Sequence, residues 1–403
     1  MKKNHILLLV CVIVVIAACK KTPKESTTPV VNVPVTYRSA NSPILATSTT
    51  SSLRSDGVML VNGQPFFPLG YYGEGFNTLS QKTYLIDKLS DAGFNITYFE
   101  YESAGTQTSQ FLDYCANKGV YTLANFYNMD RTVDPAITNF INTFKSKTSI
   151  LLWGVADDAN TFEPTDIRRK NNLVKSLDSR LTYQSFYDGG LKLDATVGEV
   201  DVSAMQSYPI FANGQMDRDW NKFVEIVNKC RTRGKTSIAN LQVYRWGNNV
   251  PGDVTTFRWP TAAEVDIQSY LALVAGFKGV IFYTFKDYRP NPTSTVDITQ
   301  KALWDQTRQF AGELTTPFTN AILNGSHSYA KQGDGIYYGK WVHNNEEYVV
   351  ALNARSAANT VFIPVTGTKV TNLYGYRKAT LAIGNGNLTG TLGGLEVQIY
   401  KVN

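Results

Sequence analysis

Histidine is almost missing from this chain. Of 403 residues only His5, His327 and His343 are histidines, so none lies between Asp56 and Gly325. Chemistry in that long central region cannot rest on a Ser-His-Asp triad or on a histidine-ligated zinc. Cysteine is nearly as scarce, with four residues at Cys11, Cys19, Cys115 and Cys230. That is too few for a disulfide framework. Cys115 and Cys230 sit near the ends of separate amphipathic stretches, "FLDYCANKGV" and "IVNKCRTRGK", where buried free thiols are expected. The body also lacks a basic helix or an Arg/Lys stripe with interleaved aromatics. The net charge of +6, part of it from lysines near the N-terminus, is therefore no nucleic-acid footprint, and no nucleic-acid partner is expected.

Long apolar runs are missing too, apart from one. The run from Ile6 to Ala18 follows two lysines and is too short to span a bilayer, so residues 1–18 read as a secretory signal. Ile16-Ala17-Ala18-Cys19 resembles the lipobox of bacterial lipoproteins. That resemblance implies a lipidated Cys19 that becomes the new N-terminus, a membrane as partner through the lipid, and a place in the bacterial cell envelope facing the periplasm or the exterior. Residues 19–55 are rich in Ser, Thr and Pro and poor in large apolar side chains. Such a segment cannot offset its ordering entropy by burial, so it is expected to be a flexible linker.

The central region alternates apolar runs with stretches of helical period. Buried parallel strands are expected at 66–71, 95–101, 121–127, 150–156, 181–187, 202–208, 237–244 and 279–285, with amphipathic helices between them. Several of these helices end in Gly just before the next strand. Eight such units over residues 56–322 suit a (β/α)8 TIM barrel, whose usual size is about 250 residues. An open doubly wound sheet is the competitor, but no Gly-rich phosphate loop follows the first strand. From 323 to 403 the texture changes to short alternating runs such as "GIYYGKWV" and "LEVQIYKV", separated by Gly and Asn turns. These predict a small C-terminal antiparallel β-sandwich, an accessory domain in which Tyr337, Tyr338 and Trp341 are core residues before they are sugar contacts.

In such a barrel the site forms where the strands end at their C-terminal side. Those ends deliver Glu100 and Glu102, Tyr127, Asp157 and Asp158, Asp188, Gln206 and Tyr208, Gln242 and Trp246, and Asp287. Carboxylates, amides and polar aromatics without histidine are what a carbohydrate site needs, because aromatic faces stack on sugar rings while amides and carboxylates bind hydroxyls. A carbohydrate is thus the expected substrate. Nothing in the sequence requires a metal or organic cofactor. The adjacent pair in "LLWGVADDAN" raises the sharpest question, why a buried strand should spend its end on two acids. Either could instead cap a turn or pair with Arg168 or Arg169, and Glu100 could pair with Arg245 or Lys286.

Several phrases resemble glycoside hydrolases with a (β/α)8 catalytic barrel. "DGVMLVNGQPFFPLGYYGEGF" is similar to the entry into such barrels, "LLWGVADDAN" to the fourth-strand segment that carries an acid, and "MQSYPI" and "GFKGVIFYTFKD" to the sixth strand and the last helix-strand pair. The resemblance extends over residues 56–403 and implies a glycosidase with Asp158 as general acid and Asp157 beside it. One departure is plain: where the large retaining clan keeps a nucleophilic Glu at the seventh strand, this chain has Gln242, and an amide cannot attack as an anion. Three readings follow. Asp158 donates the proton, helped by a neighbour with which it does not readily ionise together, and Glu100, Asp188 or Asp287 supplies the second carboxylate. Or Asp157 and Asp158 act through the substrate's own N-acetyl group, as in a substrate-assisted N-acetylhexosaminidase. Or the barrel is degenerate and binds glycan at the cell surface without cleaving it. Tyr127, Asp188, Gln206, Tyr208, Gln242, Trp246 and Asp287 are the expected substrate contacts.

Overall fold

The computed structural model describes residues 47–73, 75–100, 105–126, 134–211, 214–246, 257–285, 300–314 and 317–403. Cys19, Tyr127 and Asp287 lie outside the described residues.

Three short antiparallel strands come first: β1 (Ser51–Leu53), β2 (Met59–Val61) and β3 (Gln64–Phe66). Met59 and Val61 pack with Ile96, Leu181, Val202 and Ile238, side chains at the starting ends of barrel strands, and so plug the N-terminal end of the barrel. This corrects the expectation of a flexible linker up to residue 55. Ser51 Oγ donates to Leu151 O at 2.8 Å and accepts from Leu181 N at 2.9 Å, and Thr49 Oγ1 donates to Thr148 O at 2.6 Å. Small hydroxyl side chains that look uncommitted in a composition count here satisfy backbone groups of the barrel.

The barrel follows as β4 (Leu69–Tyr72), β5 (Ile96–Glu100), β6 (Tyr121–Asn125), β7 (Ile150–Ala156), β8 (Leu181–Phe186), β9 (Val202–Ser207), β10 (Thr236–Gln242) and β11 (Val280–Tyr283). All eight are parallel and the ring closes where β11 pairs with β4. Strands covered on both faces read as continuous apolar runs, and β7 is buried at every position. The covering helices are α1 (Leu79–Asp91), α2 (Thr106–Asn117), α3 (Asp134–Phe144), α4 (Pro164–Leu177), α5 (Leu191–Thr196), α6 (Trp220–Thr232), α7 (Ala262–Ala275) and α8 (Lys301–Glu313), with the short α9 (Phe318–Asn324) leading out. Capping boxes start α1 at Thr78 with Gln81 and α7 at Thr261 with Glu264. Gly276, at φ 103°, ends α7 in the left-handed conformation that suits glycine.

The C-terminal sandwich stacks a five-stranded sheet on a three-stranded one. The first has the order β12 (Ser326–Gln332), β13 (Ile336–His343), β14 (Glu346–Asn353), β19 (Glu396–Val402), β16 (Val370–Asn372), and the second β15 (Asn359–Pro364), β18 (Asn387–Leu392), β17 (Ala382–Gly384). One face of the large sheet meets the small one through Ile336, Val349, Val361, Ile363 and Leu388. Its other face joins the barrel core through Tyr337, Trp341, Tyr348 and Ile399. Tyr337 and Trp341 are each 1 % exposed, so both are packing residues of this seam. Cys115 and Cys230 are free and buried, as expected from their positions.

A charged cluster crosses the same seam. Arg377 bonds both oxygens of Asp266 at 2.8 and 2.9 Å and both of Glu313 at 2.6 and 2.7 Å, and Tyr376 OH adds 2.6 Å to Glu313. His327 lies elsewhere on the seam, stacked on Trp341 at 4.8 Å and packed against Gly276 at the end of α7. Burial pushes its imidazole from 6.5 down to about 3, with Lys278 adding to the effect. The folded protein therefore keeps His327 neutral where the unfolded chain would protonate it. The stabilisation is complete above pH 6.5 and is lost as pH falls toward 3, at no more than about 1.4 kcal/mol per pH unit for one proton. Urea unfolding of the wild type and of His327→Leu between pH 7 and 4 should show a steeper acid loss in the wild type; parallel slopes would remove His327 from the seam's acid sensitivity.

Candidate functional site

β7 hands the chain from Ala156 to Asp157 and Asp158 at the C-terminal mouth of the barrel. The pairing of β7 with β8 shifts register between Gly154 and Ala156, an irregularity of the kind that re-aims the residues after it. Asp158 then adopts the left-handed conformation, φ 47° and ψ 49°, which Asp tolerates better than most residues. Its carbonyl is held by Thr161 N at 2.7 Å and Thr161 Oγ1 at 2.9 Å. The two carboxyl groups are both half-buried.

Their surroundings differ. Asp157 Oδ2 accepts from Tyr98 OH at 2.8 Å, while Oδ1 accepts from Ser185 Oγ, from Gln206 Nε2 at 3.3 Å and from the Asp158 amide at 3.2 Å. Those donors arrive from β5, β8, β9 and the end of β7 itself. Asp158 Oδ1 accepts from Gln206 Nε2 at 2.8 Å, and among the described residues its Oδ2 has no hydrogen-bond partner. One amide thus touches both aspartates and, at 3.0 Å, Ser185 Oγ. Arg168 is engaged elsewhere, with Glu199, and Arg169 with Asp134.

Beneath the pair lies a layer of tyrosines and amides. Tyr72 stacks on Tyr98 with ring centroids 3.9 Å apart, and Asn240 Nδ2 donates to the hydroxyls of Tyr72 and Tyr183, each at 2.8 Å. Asn125 Nδ2 donates to Tyr98 OH. A Cβ at Gly154 would lie 2.5 Å from Asn125 Oδ1, so the glycine in "LLWGVADD" makes room for that amide. Burial pushes the Tyr72 and Tyr98 hydroxyls well above their usual range, and the nearby Asp157 charge adds to it. Both stay neutral donors across any physiological pH.

The remaining expected residues divide clearly. Glu100 ends β5 half-buried, opposite Asn125 and on the inward row of Tyr98. Its charge is a further cause of the raised Tyr98 hydroxyl. Tyr208 follows β9 and packs on Tyr244 at 5.3 Å and Tyr283 at 5.5 Å. Trp246 donates its indole N–H to Tyr208 O at 3.3 Å and stacks on Phe211 at 5.4 Å, so these rings form one wall of the mouth. Asp188 is at the rim, its side chain 61 % exposed and 3.2 Å from Lys222. Gln242, expected to touch substrate, is 0 % exposed. Its Oε1 accepts from Ile210 N at 2.7 Å and its Nε2 donates to Ile210 O at 3.0 Å and Tyr244 O at 3.1 Å. The loop after β9 closes over that amide, which braces the wall and leaves no face for a ligand. Tyr98, Asn125 and Ser185 were not among the expected site residues; the two-residue alternation that selects Glu100 and Gln206 places Tyr98 and Ala204 on the same inward rows, and Ser185 shares the inward row of Tyr183.

Among the described residues no group of His, Cys, Asp or Glu is arranged to hold a metal ion. No family model matches the sequence and no curated protein matches it. Solved structures match over nearly their whole length. A structure described as a glycoside hydrolase aligns with TM-score 0.65 at 13 % identity, covering 88 % of this chain and 96 % of that one. A GH30 endoxylanase from Clostridium papyrosolvens gives 0.51 at 12 %, over 89 % and 98 %, and AmyP in complex with maltose 0.53 at 11 %, over 83 % and 92 %. At these identities the likeness is one of fold.

The brace at Gln242 has a testable consequence. Gln242→Glu should not place a working carboxylate in the mouth. It removes the donor to Ile210 O and Tyr244 O and buries a charge, which should cost about 1–3 kcal/mol or more. A fall in Tm without any gain in glycoside turnover is expected; new turnover at undiminished stability would show that the position faces substrate.

Proposed function

We propose that the protein is a glycoside hydrolase that cleaves glycosidic bonds in an oligo- or polysaccharide, with Asp158 as general acid. The observation that carries this reading is the asymmetry of the pair. Asp157 is held by four donors, whereas Asp158 keeps one oxygen unbonded among the described residues, at the mouth of a barrel whose fold-mates include glycosidases. In the reaction Asp158 gives its proton to the glycosidic oxygen while the bond to the anomeric carbon breaks and its electron pair leaves with that oxygen; the anomeric carbon bonds to the oxygen of a water that gives its proton to the second carboxylate, or first to that carboxylate itself, from which water then releases the sugar. Asp157 and Gln206 hold the donor in place. Glu100 is the second carboxylate, since it is half-buried on an inward row, whereas Asp188 is exposed and paired with Lys222. Tyr208 and Trp246 offer the aromatic wall for a sugar ring. The substrate-assisted reading is weaker, because the donors on Asp157 occupy the oxygens that would orient an N-acetyl group.

Losing a general acid typically costs about 10²- to 10⁴-fold in rate. Asp158→Asn should therefore lose most turnover on glycosides with poor leaving groups, while activated aryl glycosides, which need less protonation, suffer less. Equal losses on both classes would take Asp158 out of that role. The sealed Gln242 favours a second reading, a glycan binder without turnover. It wins if a glycan panel gives no cleavage by the wild type while oligosaccharides bind and raise Tm.

We further propose that lipid on Cys19 holds the protein to a membrane of the bacterial cell envelope, a reading supported by the lipobox-like tetrapeptide ending at Cys19. Fractionation of a Cys19→Ser variant should find it released from membranes or stalled in processing; a variant that matures normally and stays membrane-bound refutes the anchor.

A further inference from the structure

The loop between β9 and α6 carries one wall of the mouth, starting at Tyr208 next to the β9 end that bears Gln206. It is pinned at three places. Gln242 clasps both backbone groups of Ile210 at 2.7 and 3.0 Å. Ser207 Oγ donates to Asp219 Oδ2 at 2.8 Å. The third pin comes from the other domain: Asp217 accepts from Tyr337 OH at 2.7 Å and from Arg355 Nη1 at 2.6 Å. Asp217 is 8 % exposed, and Arg355 is itself steadied by Asp334 at 2.6 Å. The Tyr337 ring also packs on Trp220, the first residue of α6, at 4.5 Å.

This third pin is not needed to attach the sandwich. The Arg377 cluster ties it to α7 and α8, and Trp341 packs on Phe318 of α9 at 5.7 Å. Among the described residues the other polar ties across the seam end on α7 and α8. The pair at Asp217 reaches the loop that forms the site wall. A buried carboxylate with two donors from another domain has one low-energy position, so it transmits the placement of the sandwich to the loop.

We propose that the β-sandwich is a positioning element of the active site, with Tyr337 and Arg355 as positioning residues that hold Asp217 and thereby set Tyr208 and Gln206 against the aspartate pair. This rests on the reading of the mouth as a saccharide site. Small displacements of positioning groups far from the chemistry can cost about 10²-fold in rate.

The test uses the full chain with Tyr337→Phe, which keeps the ring on Trp220, and Arg355→Met, with Arg355→Lys as rescue. Ile363→Ala, in the sandwich core away from Asp217, controls for lost stability alone. Hydrogen–deuterium exchange of residues 208–219 should rise in Tyr337→Phe and Arg355→Met. Their kcat/KM on a cleaved glycoside should fall about 10- to 100-fold. Arg355→Lys should recover part of both, and Ile363→Ala should lower Tm while changing neither. Unchanged exchange in Arg355→Met, or the same kinetic loss in Ile363→Ala, overturns the proposal. Wild-type turnover that persists in both variants overturns it too while leaving the hydrolase reading intact. If the wild type neither cleaves nor binds any saccharide, that reading fails by itself, and exchange of 208–219 decides whether the sandwich holds the loop.

Discussion

A carboxyl group drawn part-way out of water at the end of a closed barrel must be met by donors, and Asp157 sets what surrounds it. Tyr98 from β5, Ser185 from β8, Gln206 from β9 and the Asp158 amide all converge on its two oxygens. Each then imposes a demand of its own. The Tyr98 hydroxyl accepts from Asn125, Asn125 fits only because residue 154 is glycine, and the Tyr98 ring is fixed by stacking on Tyr72. The polar layer is therefore one connected network, built above an apolar layer that β2 plugs from below. Networks of this sort specify a single arrangement because any member left without its partner is costly.

The barrel was legible because its strands are buried on both faces and so appear as uninterrupted apolar runs between stretches of helical period. The expected bounds of β7, 150–156, agree with the structure; the first strand, expected at 66–71, runs Leu69–Tyr72, with Phe66 in β3 instead, while the remaining strands end one or two residues earlier than the apolar run suggests, where aromatic residues such as Tyr187, Tyr208 and Phe285 turn into the loops. The aspartates were legible as a pair of charges at the end of such a run. Tyr98, Asn125 and Ser185 were harder to see. A tyrosine or serine inside a strand looks like packing until its hydroxyl is known to face a carboxyl group. Gln242 failed in the opposite direction: strand alternation puts it on the inward row, but the loop after β9 descends onto it, a tertiary event that no local pattern encodes. Ser51 and Thr49 show the same limit, since composition cannot distinguish a solvated hydroxyl from one that caps a barrel strand.

The sandwich departs from the usual half-solvated antiparallel sheet. Its large sheet is buried on one face by the small sheet and on the other by α7 and α9, and β14 is buried over seven of its eight positions. A sheet covered twice has little solvent-facing polar pattern to keep it in place, so its orientation on the barrel must be set by specific contacts. Arg377 supplies them: a guanidinium fork between Asp266 and Glu313 at 6 % exposure tolerates little rotation. Desolvating those charges offsets much of their attraction, so the cluster contributes more to how the domains are set than to overall stability.

The same logic bears on the seventh strand. In a barrel that keeps a nucleophile there, the end of that strand must be open to substrate. Here Gln242 is filled on three sides by backbone of the β9 loop and of Tyr244, so the loop occupies the space a substrate would need above it. The charged groups gather on the opposite arc, where Glu100, Asp157 and Asp158 follow β5 and β7, with Gln206 reaching across from β9. A loop that covers the end of β10 must itself be rigid, or the wall it forms would move with every fluctuation at the mouth. Its anchoring by Gln242, Ser207 and the sandwich answers that requirement. The buried amide at the end of β10 and the holding of the β9 loop from both domains are thus two sides of one arrangement of the mouth.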